Sequence, residues 1–240
     1  MPVPDPVKRR GEFEMSVLRV PFKMLLAPIP RFSLGPDNAA LLLIDAQHFT
    51  TSRGQGLGQL ASERGIDREF DEYYTQVDAA LKNMVRLLTA CRSHGLTVMH
   101  TVLCGDRPDG SDRSRQMRVS GLPLPVGDPR LQICSEVSAQ PDEVVFPRTT
   151  YSLFVGRDIA TALRTAHVDT VLLAGMLANY SVWQAAREAA DRDFGVVVVM
   201  DCCASETLAW QTQLQTGVIG GLIRQRSCTE VIEMMQGTRT

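Results

Sequence analysis

The sequence has no long apolar run and no excess of one charge. Its most apolar runs, residues 39–44 and 196–200, are about as long as a β-strand, whereas a membrane-spanning helix needs about 20 apolar residues. The 25 Lys and Arg residues nearly balance the 27 Asp and Glu residues, which leaves a formal charge of -2. Such a chain has no field that would gather nucleic acid or an anionic membrane surface. The expected partner is therefore a small molecule, with no nucleic acid and no membrane involved.

The cysteines and histidines lack the spacing of a disulfide scaffold or a metal site. Six cysteines are scattered through apolar segments without a C-x-x-C pair, and four histidines show no H-x-x-x-H spacing. Free cysteines in such segments are typically buried thiols, and metal ligands normally recur at short regular intervals. No metal and no other cofactor are expected. The N-terminal residues also lack the apolar core and cleavage site of a secretory signal, which predicts a cytoplasmic protein.

Residues 1–37 differ in composition from the rest of the chain. They are rich in proline and mixed charge, which interrupts any continuous helix or strand ladder. We interpret them as an N-terminal arm. Its apolar segments, residues 17–20 and 22–26, are expected to pack on the body or on a neighbouring subunit, which favours an oligomer. Residues 38–240 are predicted to form a single domain, because this length suffices for one sizeable core.

From residue 39 onward, short apolar runs alternate with segments of helical periodicity. This pattern is typical of strands that crossover helices bury on both faces. It predicts a doubly wound, Rossmann-like α/β three-layer sandwich with a mostly parallel central sheet. The predicted strands are residues 39–44, 96–103, 143–146, 170–174 and 196–202, and the predicted helices include residues 77–91, 158–166, 181–192 and 206–216. In such a fold, ligands bind at the carboxyl edge of the sheet.

Three polar residues, Asp45, Arg148 and Ser181, stand where an apolar strand ends or a helix begins. All three are expected to face one crevice if the strands are parallel. Asp45 ends an apolar run, so its carboxylate is predicted to be partly desolvated and suited to proton transfer. An Asp in this position is equally often a turn former or helix cap. The combination of the three is what favours a catalytic site.

Five segments, in order and spacing, resemble the isochorismatase-like (cysteine hydrolase) superfamily. They read LLLIDAQ at 41–47, FPRTTYSLF at 146–154, LLAGMLANYSV at 172–182, AAREAADR at 185–192 and VVVVMD at 196–201. The segment at 73–81 looks most like ureidoacrylate-type and related amidohydrolases. The resemblance implies an oligomeric hydrolase in which a strand-end Asp activates a Cys at a helix start. It also implies a Lys that supplies positive charge, and backbone N–H groups beside a cis peptide that bind an oxyanion.

Two of the three residues implied by the resemblance are replaced in this sequence. Asp45 matches the Asp, but Arg148 stands at the Lys position and Ser181 at the Cys position. Cys202 and Cys203 follow the next strand, so we expect them to pack beneath the sheet rather than to act as nucleophiles. A serine hydroxyl does not ionise as a helix-terminal thiol does, so Ser181 needs Asp45 to accept its proton during attack. Arg148 keeps the positive charge but is not expected to shuttle protons, and it is suited to hold Asp45 or a substrate carboxylate.

Five further residues are predicted to bind substrate or to shape the pocket. Tyr151 follows Arg148 closely and is expected either to line the pocket or to pack against its loop. Leu177 and Ala178 lie where the resemblance implies the cis peptide and the oxyanion donor. Gln47 and Asn179 are predicted either to hydrogen-bond substrate or to cap backbone groups.

The sequence leaves three functions open. In the leading interpretation, the protein hydrolyses a small amide or ureido C–N bond, with Ser181 as nucleophile or as a group that positions water. In the second, Asp45 with a raised pKa protonates a vinyl ether and water completes the cleavage, as the resemblance to isochorismatases implies. In the third, the site is catalytically degenerate, and the protein binds a ligand or partners an active homologue in a heteromer. A homo-oligomer is expected, with a heteromer that includes an active homologue as the alternative.

Overall fold

A computed structural model describes residues 30–120, 122, 126–216 and 222–237. The predicted arm segments at 17–20 and 22–26 lie outside these ranges. The described strands are β1 (Ala39–Ile44), β2 (Thr97–Leu103), β3 (Val144–Arg148), β4 (Thr170–Met176), β5 (Gly195–Ala204) and β6 (Ile223–Arg226). They form one sheet in the order β3-β2-β1-β4-β5-β6, and each neighbouring pair is parallel. The predicted doubly wound parallel sheet is confirmed.

Helices connect the strands and cover both faces of the sheet. They are α1 (His48–Thr51), α2 (Gly56–Glu63), α3 (Asp71–Ser93), α4 (Arg115–Val119), α5 (Ile159–Thr165), α6 (Trp183–Ala190), α7 (Leu208–Thr216) and α8 (Cys228–Met235). Short 3₁₀ turns lie at Asp67–Phe70, Pro129–Leu131 and Ser135–Val137, and a π-helical turn at Ala178–Val182 leads into α6. None of the helices described is both long and apolar enough to cross a membrane.

Strand β1 is buried on both faces because its side chains alternate between two hydrophobic cores. Leu41 and Leu43 pack in the core that includes residues of α3 and α8. Leu42 and Ile44 pack in the core that includes residues of α5 and α6. An uninterrupted apolar run is therefore what a central parallel strand requires. The result is the predicted three-layer arrangement, with the sheet between two helical layers.

The described part of the arm packs on the domain itself. Leu34 is buried, and Phe32 packs against the α3 core. Phe32 also lies against Gly195 at the start of β5, where an added Cβ would approach the ring within 2.8 Å. Around Phe32 and Leu34 the chain therefore packs on its own body. The packing expected for residues 17–20 and 22–26 stays a prediction.

Strand β6 and helix α8 were not predicted from the sequence. The β6 residues read Ile-Arg-Gln-Arg, and only Ile223 among them is buried. Edge strands commonly carry charged side chains, which protect the unpaired edge but remove the apolar run that marks a strand. The charged edge strand β6 is thus harder to recognise from the sequence than the five strands before it.

The central strands β1 and β4 approach each other closely beside the end of β1. Gly175 pairs with Ile44 in the parallel register and has a positive φ of 137°. A Cβ at this position would lie 1.9 Å from the carbonyl oxygen of Ile44. Only glycine allows this approach, and it brings the segment that follows β4 next to the residue that follows β1.

Candidate active site

The topology brings Asp45, Arg148 and Ser181 to one point of the carboxyl edge. Asp45 directly follows β1, Ser181 lies in the π-helical turn that follows β4, and Arg148 is the last residue of β3. Strands β1 and β4 are neighbours, and the chain reverses its winding direction between them. In open α/β sheets, ligands bind in the crevice at this switch point.

The three side chains form one buried hydrogen-bonded group. Ser181 Oγ donates to Asp45 Oδ2 over 2.9 Å. Arg148 Nη2 donates to the same Asp45 oxygen and, over 3.1 Å, to Ser181 Oγ. Each of the three residues is at most 3% exposed. An alcohol, a carboxylate and a guanidinium therefore meet in a single cleft, with the hydroxyl proton directed at the carboxylate.

The backbone of Asp45 is held in an unusual conformation that aims its carboxylate at this cleft. Its φ is +52°, in the left-handed region that Asp tolerates better than most residues. The Asp45 N–H donates to the carbonyl of Thr101 over 3.0 Å, and Thr50 Oγ1 donates to the carbonyl of Asp45 over 2.9 Å. Thr101 Oγ1 also donates to Asp45 Oδ1 over 3.2 Å.

Thr101 was missed by sequence reasoning, although a signal was available. It is a buried polar residue within the otherwise apolar second half of β2. A polar residue in a strand buried on both faces needs a hydrogen-bond partner. At the carboxyl end of a strand beside β1, that partner is the carboxylate of Asp45.

Burial raises the pKa of Asp45 above its ordinary value. Contacts with Arg148, Ser181 and Thr101 favour the charged form and oppose this effect, but desolvation is the larger influence. A carboxylate with a raised pKa is a better match for proton transfer near neutral pH than an exposed Asp.

Arg148 holds the positions of the other two groups and cannot act as a proton donor at ordinary pH. Its Nη1 donates to the carbonyl of Thr150, and Nη2 contacts Asp45 and Ser181. Within the described residues, the buried Nε–H has no hydrogen-bond partner. The guanidinium is thus held at the cleft by both of its terminal nitrogens, while its Nε–H makes no hydrogen bond to the described residues.

The segment after β4 supplies backbone donors at the site. The peptide bond between Met176 and Leu177 is cis, as the family resemblance implied for this segment. The π-helical turn begins at Ala178 and runs directly into α6. The first N–H groups of a helix have no intrahelical acceptor, and backbone N–H groups of this kind stabilise oxyanions in acyl transfer. The backbone of Leu177 and Ala178 is therefore suited to that role, which is the one that the family resemblance implies for it.

Gln47 and Asn179 both use their side-chain amides to hold protein groups. Gln47 Nε2 donates to the carbonyls of Leu103 and Leu131, and its Oε1 accepts from the N–H of Leu103. Asn179 Nδ2 donates to Glu206 Oε2 over 3.0 Å, and its Oδ1 accepts from the N–H of Glu206 over 3.3 Å. Of the two interpretations left open, these contacts favour the one in which both side chains position their surroundings.

Two adjoining chambers lead to the buried group. An inner chamber of about 60 Å³ is lined by Asp45 and Ser181 among others, and an outer chamber of about 450 Å³ adjoins it. Tyr151, Leu177 and Tyr180 line both chambers. The rings of Tyr151 and Tyr180 lie 5.3 Å apart, centroid to centroid. Tyr151 therefore lines the pocket, whereas Tyr180 was not predicted.

Cys202 and Cys203 are embedded in the cores and do not reach the cleft. Cys202 packs in the α3 core and Cys203 in the α5 and α6 core. Burial raises the pKa of both thiols, which keeps them protonated. The expectation that they pack beneath the sheet is met. Elsewhere in the described ranges, no three His, Cys, Asp or Glu side chains come together as metal ligands would.

The structure thus places a carboxylate, a cation and a hydroxyl at the switch point of a doubly wound α/β fold. The model of the isochorismatase domain matches residues 39–218. The chain belongs to the isochorismatase family of hydrolases.

Known proteins that resemble the chain include amide-cleaving enzymes. Maleamate amidohydrolase of Pseudomonas putida is 28% identical over 165 residues, which cover 68% of this chain and 70% of that protein. The structure of a cysteine hydrolase from Pseudomonas syringae pv. phaseolicola has a TM-score of 0.72 and 21% identity, and covers 88% of this chain and 98% of that one. The structure of N-carbamoylsarcosine amidase from Thermoplasma acidophilum has a TM-score of 0.61 and 20% identity, and the match covers 80% of this chain and 98% of that one. At these identities, the two structures establish the fold alone.

Proposed function

We propose that the protein is an amidohydrolase that cleaves a small amide or ureido C–N bond, with Ser181 as nucleophile and Asp45 as general base. The observation that carries this proposal is the 2.9 Å hydrogen bond from Ser181 Oγ to Asp45 Oδ2. A nucleophile and its base within hydrogen-bonding reach, at the inner end of a cavity, are what covalent acyl transfer requires. The similarity to an amidohydrolase supports the same reaction.

In the proposed reaction, Ser181 Oγ attacks the amide carbonyl carbon while its proton passes to Asp45. The oxyanion that forms is stabilised by backbone N–H groups at the start of the π-helical turn. The tetrahedral intermediate collapses as Asp45 returns the proton to the leaving nitrogen, which departs as ammonia or an amine. Water then attacks the acyl-serine ester, with Asp45 again as base, and releases the carboxylate product and free Ser181.

Arg148 contributes positive charge next to the reacting oxygen. Its Nη2 donates to Ser181 Oγ, and a charged donor stabilises the negative charge that develops there as the proton leaves. A guanidinium does not release its proton at ordinary pH. The proton that the leaving nitrogen needs is therefore assigned to Asp45 alone.

A second candidate, a catalytically degenerate site that only binds ligand, is favoured by one contact. Asp45 Oδ2 accepts hydrogen bonds from both Arg148 and Ser181. A carboxylate oxygen shared with a permanent cation is a weaker base than one bonded to the nucleophile alone. In this case the group would hold the fold and the pocket together rather than transfer protons.

The experiment that separates the candidates measures ammonia release from a panel of small amides and ureido compounds. The wild type, Ser181→Ala and the double variant Ser181→Cys/Arg148→Lys are compared. The proposal predicts turnover by the wild type and a loss of about 10³-fold or more in Ser181→Ala. Ser152→Ala is the matched control, because Ser152 is also a buried, hydrogen-bonded serine but lines neither chamber.

Two results would contradict the proposal. Activity confined to the double variant would mean that the natural residues form a degenerate site. Turnover of isochorismate, with none of the amides cleaved, would favour the vinyl ether reaction, for which the raised pKa of Asp45 suits a proton donor.

A further inference from the structure

The outer chamber is a largely apolar space bounded by aromatic rings. Phe70, Tyr73, Tyr151 and Tyr180 contribute rings to its wall, and three of the six other lining residues are leucines. At about 450 Å³, it has room for a substrate body the size of an aromatic ring. The walls therefore favour an apolar group attached to the reacting amide.

The charges that face this space are negative. Glu69 and Glu206 line the outer chamber, and Asp45 lines the inner one. No Lys, Arg or His is among the described residues that line either chamber. Arg148 lies behind Asp45 with a fully buried side chain, and its charge is paired with that carboxylate. Among the described residues, a carboxylate on the substrate would thus meet no cation along either chamber.

Glu206 is fixed at the mouth of the chamber by the neighbouring turn. Asn179 binds its carboxylate and its backbone N–H. Burial raises the pKa of Tyr180, and the nearby Glu206 carboxylate adds to that effect. Burial raises the pKa of Tyr151, and the negative charges of Asp45 and Glu206 add to that effect. The negative charge of Glu206 therefore acts on Tyr151 as well as on the outer chamber that Glu206 lines.

We propose that the site selects amides whose body is apolar, ring-sized and either uncharged or cationic, and that Glu69 and Glu206 exclude amides bearing a carboxylate. This proposal rests on the amidohydrolase function proposed above. A carboxylate entering the chamber would lose its hydration and face like charges, with no hydrogen-bonding cation in return. Maleamate, the substrate in the name of the Pseudomonas putida relative, is such an anion. The two proteins are thus expected to differ in substrate class.

The test uses three amides of one shape and different charge. They are para-carboxybenzamide, para-methylbenzamide and para-(aminomethyl)benzamide. Dissociation constants are measured by isothermal titration with Ser181→Ala protein, so that binding is read without turnover. Hydrolysis by the wild type is measured in parallel. We expect the carboxylate to bind about 10-fold or more weakly than the methyl compound, and the ammonium compound to bind at least as tightly as the methyl compound.

Removing the two carboxylates without changing their shape isolates the role of charge. The variant Glu69→Gln/Glu206→Gln, made in the Ser181→Ala background, keeps side-chain oxygens that can accept hydrogen bonds. In this variant, the affinity for para-carboxybenzamide is expected to come within about 2-fold of the affinity for the methyl compound. Added salt should reduce the same difference in part, because it screens the two carboxylates. Glu136→Gln, which removes an exposed carboxylate that lines neither chamber, is the control and is expected to leave the order of affinities unchanged.

Several results would overturn this proposal. They are equal or tighter binding of the carboxylate, discrimination that persists in the double Gln variant, and failure of both the methyl and the ammonium compounds to bind. The expected order of binding with no hydrolysis by the wild type would instead contradict the amidohydrolase reaction while leaving the charge preference standing. The failure of either proposal can thus be recognised separately.

Discussion

The two ends of strand β3 each carry a buried contact between a carboxylate and a guanidinium. At the carboxyl end, Arg148 contacts Asp45 in the cleft. At the amino end, Glu143, the residue before the strand, is held by Arg92 of α3. Both carboxylate side chains are at most 7% exposed. The two carboxylates differ in how far the hydrogen bonds from their surroundings compensate for burial.

Glu143 is fully satisfied by hydrogen bonds. Arg92 donates to both of its oxygens over 2.8 Å, and His100 Nε2 and the N–H of Gln140 each lie 2.9 Å from Oε2. Burial raises its pKa, but the hydrogen bonds from Arg92, Gln140 and His100 outweigh this effect and hold the pKa at about 2. For Asp45 the balance is reversed, since desolvation outweighs the same kinds of contact and raises the pKa.

The comparison separates a structural ion pair from a group suited to chemistry. A carboxylate that prefers its charge by a wide margin stabilises the fold and resists protonation. One whose charge is disfavoured, and which faces a cavity beside a hydroxyl, is available for proton transfer. The same two residue types thus serve different purposes at opposite ends of one strand.

The largest expected difference between the two ends is in activity. Asp45→Asn is predicted to lower kcat/KM by about 10³- to 10⁴-fold, because the amide cannot accept the proton of Ser181. Glu143→Gln, the matched change at the other end, is predicted to keep activity within about 3-fold, since Glu143 lines neither chamber. Steady-state hydrolysis assays measure both. Similar losses of kcat/KM in the two variants would contradict the view that only the carboxylate at the carboxyl end of β3 takes part in the chemistry.

Next in size is the stability cost of removing the cation at the carboxyl end. Arg148→Met leaves buried Asp45 unpaired, and breaking a buried pair in this way costs about 3–5 kcal/mol near neutral pH. When folding raises the pKa of a carboxyl group, that group destabilises the folded state. The destabilisation grows as the pH rises above the pKa that the group has in the unfolded chain. The cost is therefore expected to shrink toward about pH 4. Urea denaturation at several pH values measures it, and a cost that grows in acid would contradict this account.

Glu143→Gln is expected to have a smaller effect on stability and the opposite pH dependence. We predict a loss of roughly 2–3 kcal/mol near neutral pH, because Arg92 and His100 lose a charged acceptor. A lowered pKa contributes stability that is present above the ordinary Glu value and is lost as the pH falls toward about 2. The difference in unfolding free energy between wild type and variant should therefore narrow as the pH falls from the ordinary Glu pKa toward about 2. Urea denaturation at several acid pH values measures it. A constant difference would show that the charge of Glu143 is not what stabilises this end.

The smallest predicted effect is a shift in the pH profile of hydrolysis. Thr101→Val removes a hydrogen bond that favours the charged form of Asp45, so the pKa of the base should rise further. The acid limb of kcat/KM is expected to move to higher pH by up to about one unit, with little change at the plateau. Glu143→Gln is the control and should leave the limb in place. A shift to lower pH in Thr101→Val would contradict the assignment of Asp45 as base.

Much of the fold and the meeting of three polar residues could be predicted from sequence. The run that forms β1 is apolar because both faces of a central strand are buried, and Asp45 follows it directly. Since parallel strands end at one edge, residues just beyond β1, β3 and β4 were expected to meet there. The predicted end of β3 stopped at residue 146, yet Arg148 remained at the same edge because the strand continues to it.

The walls of the chambers could not be predicted in the same way. Glu69 lies in a 3₁₀ turn before α3, and Glu206 follows β5 in a loop. Both are exposed residues without periodicity, so their position depends on how loops fold over the sheet. The alternatives for Gln47 also needed coordinates, because only its contacts with Leu103 and Leu131 distinguish a backbone clamp from a substrate ligand.

The central claim, that Ser181 is a nucleophile activated by Asp45, is tested most directly by intact-mass spectrometry. A slowly hydrolysed amide or activated ester is mixed with the protein, and the reaction is quenched in acid. The account predicts an added acyl group that maps to Ser181, is absent from Ser181→Ala and forms far more slowly in Asp45→Asn. Turnover of the same compound with no acyl adduct on Ser181, or with undiminished rate in Ser181→Ala, would contradict it.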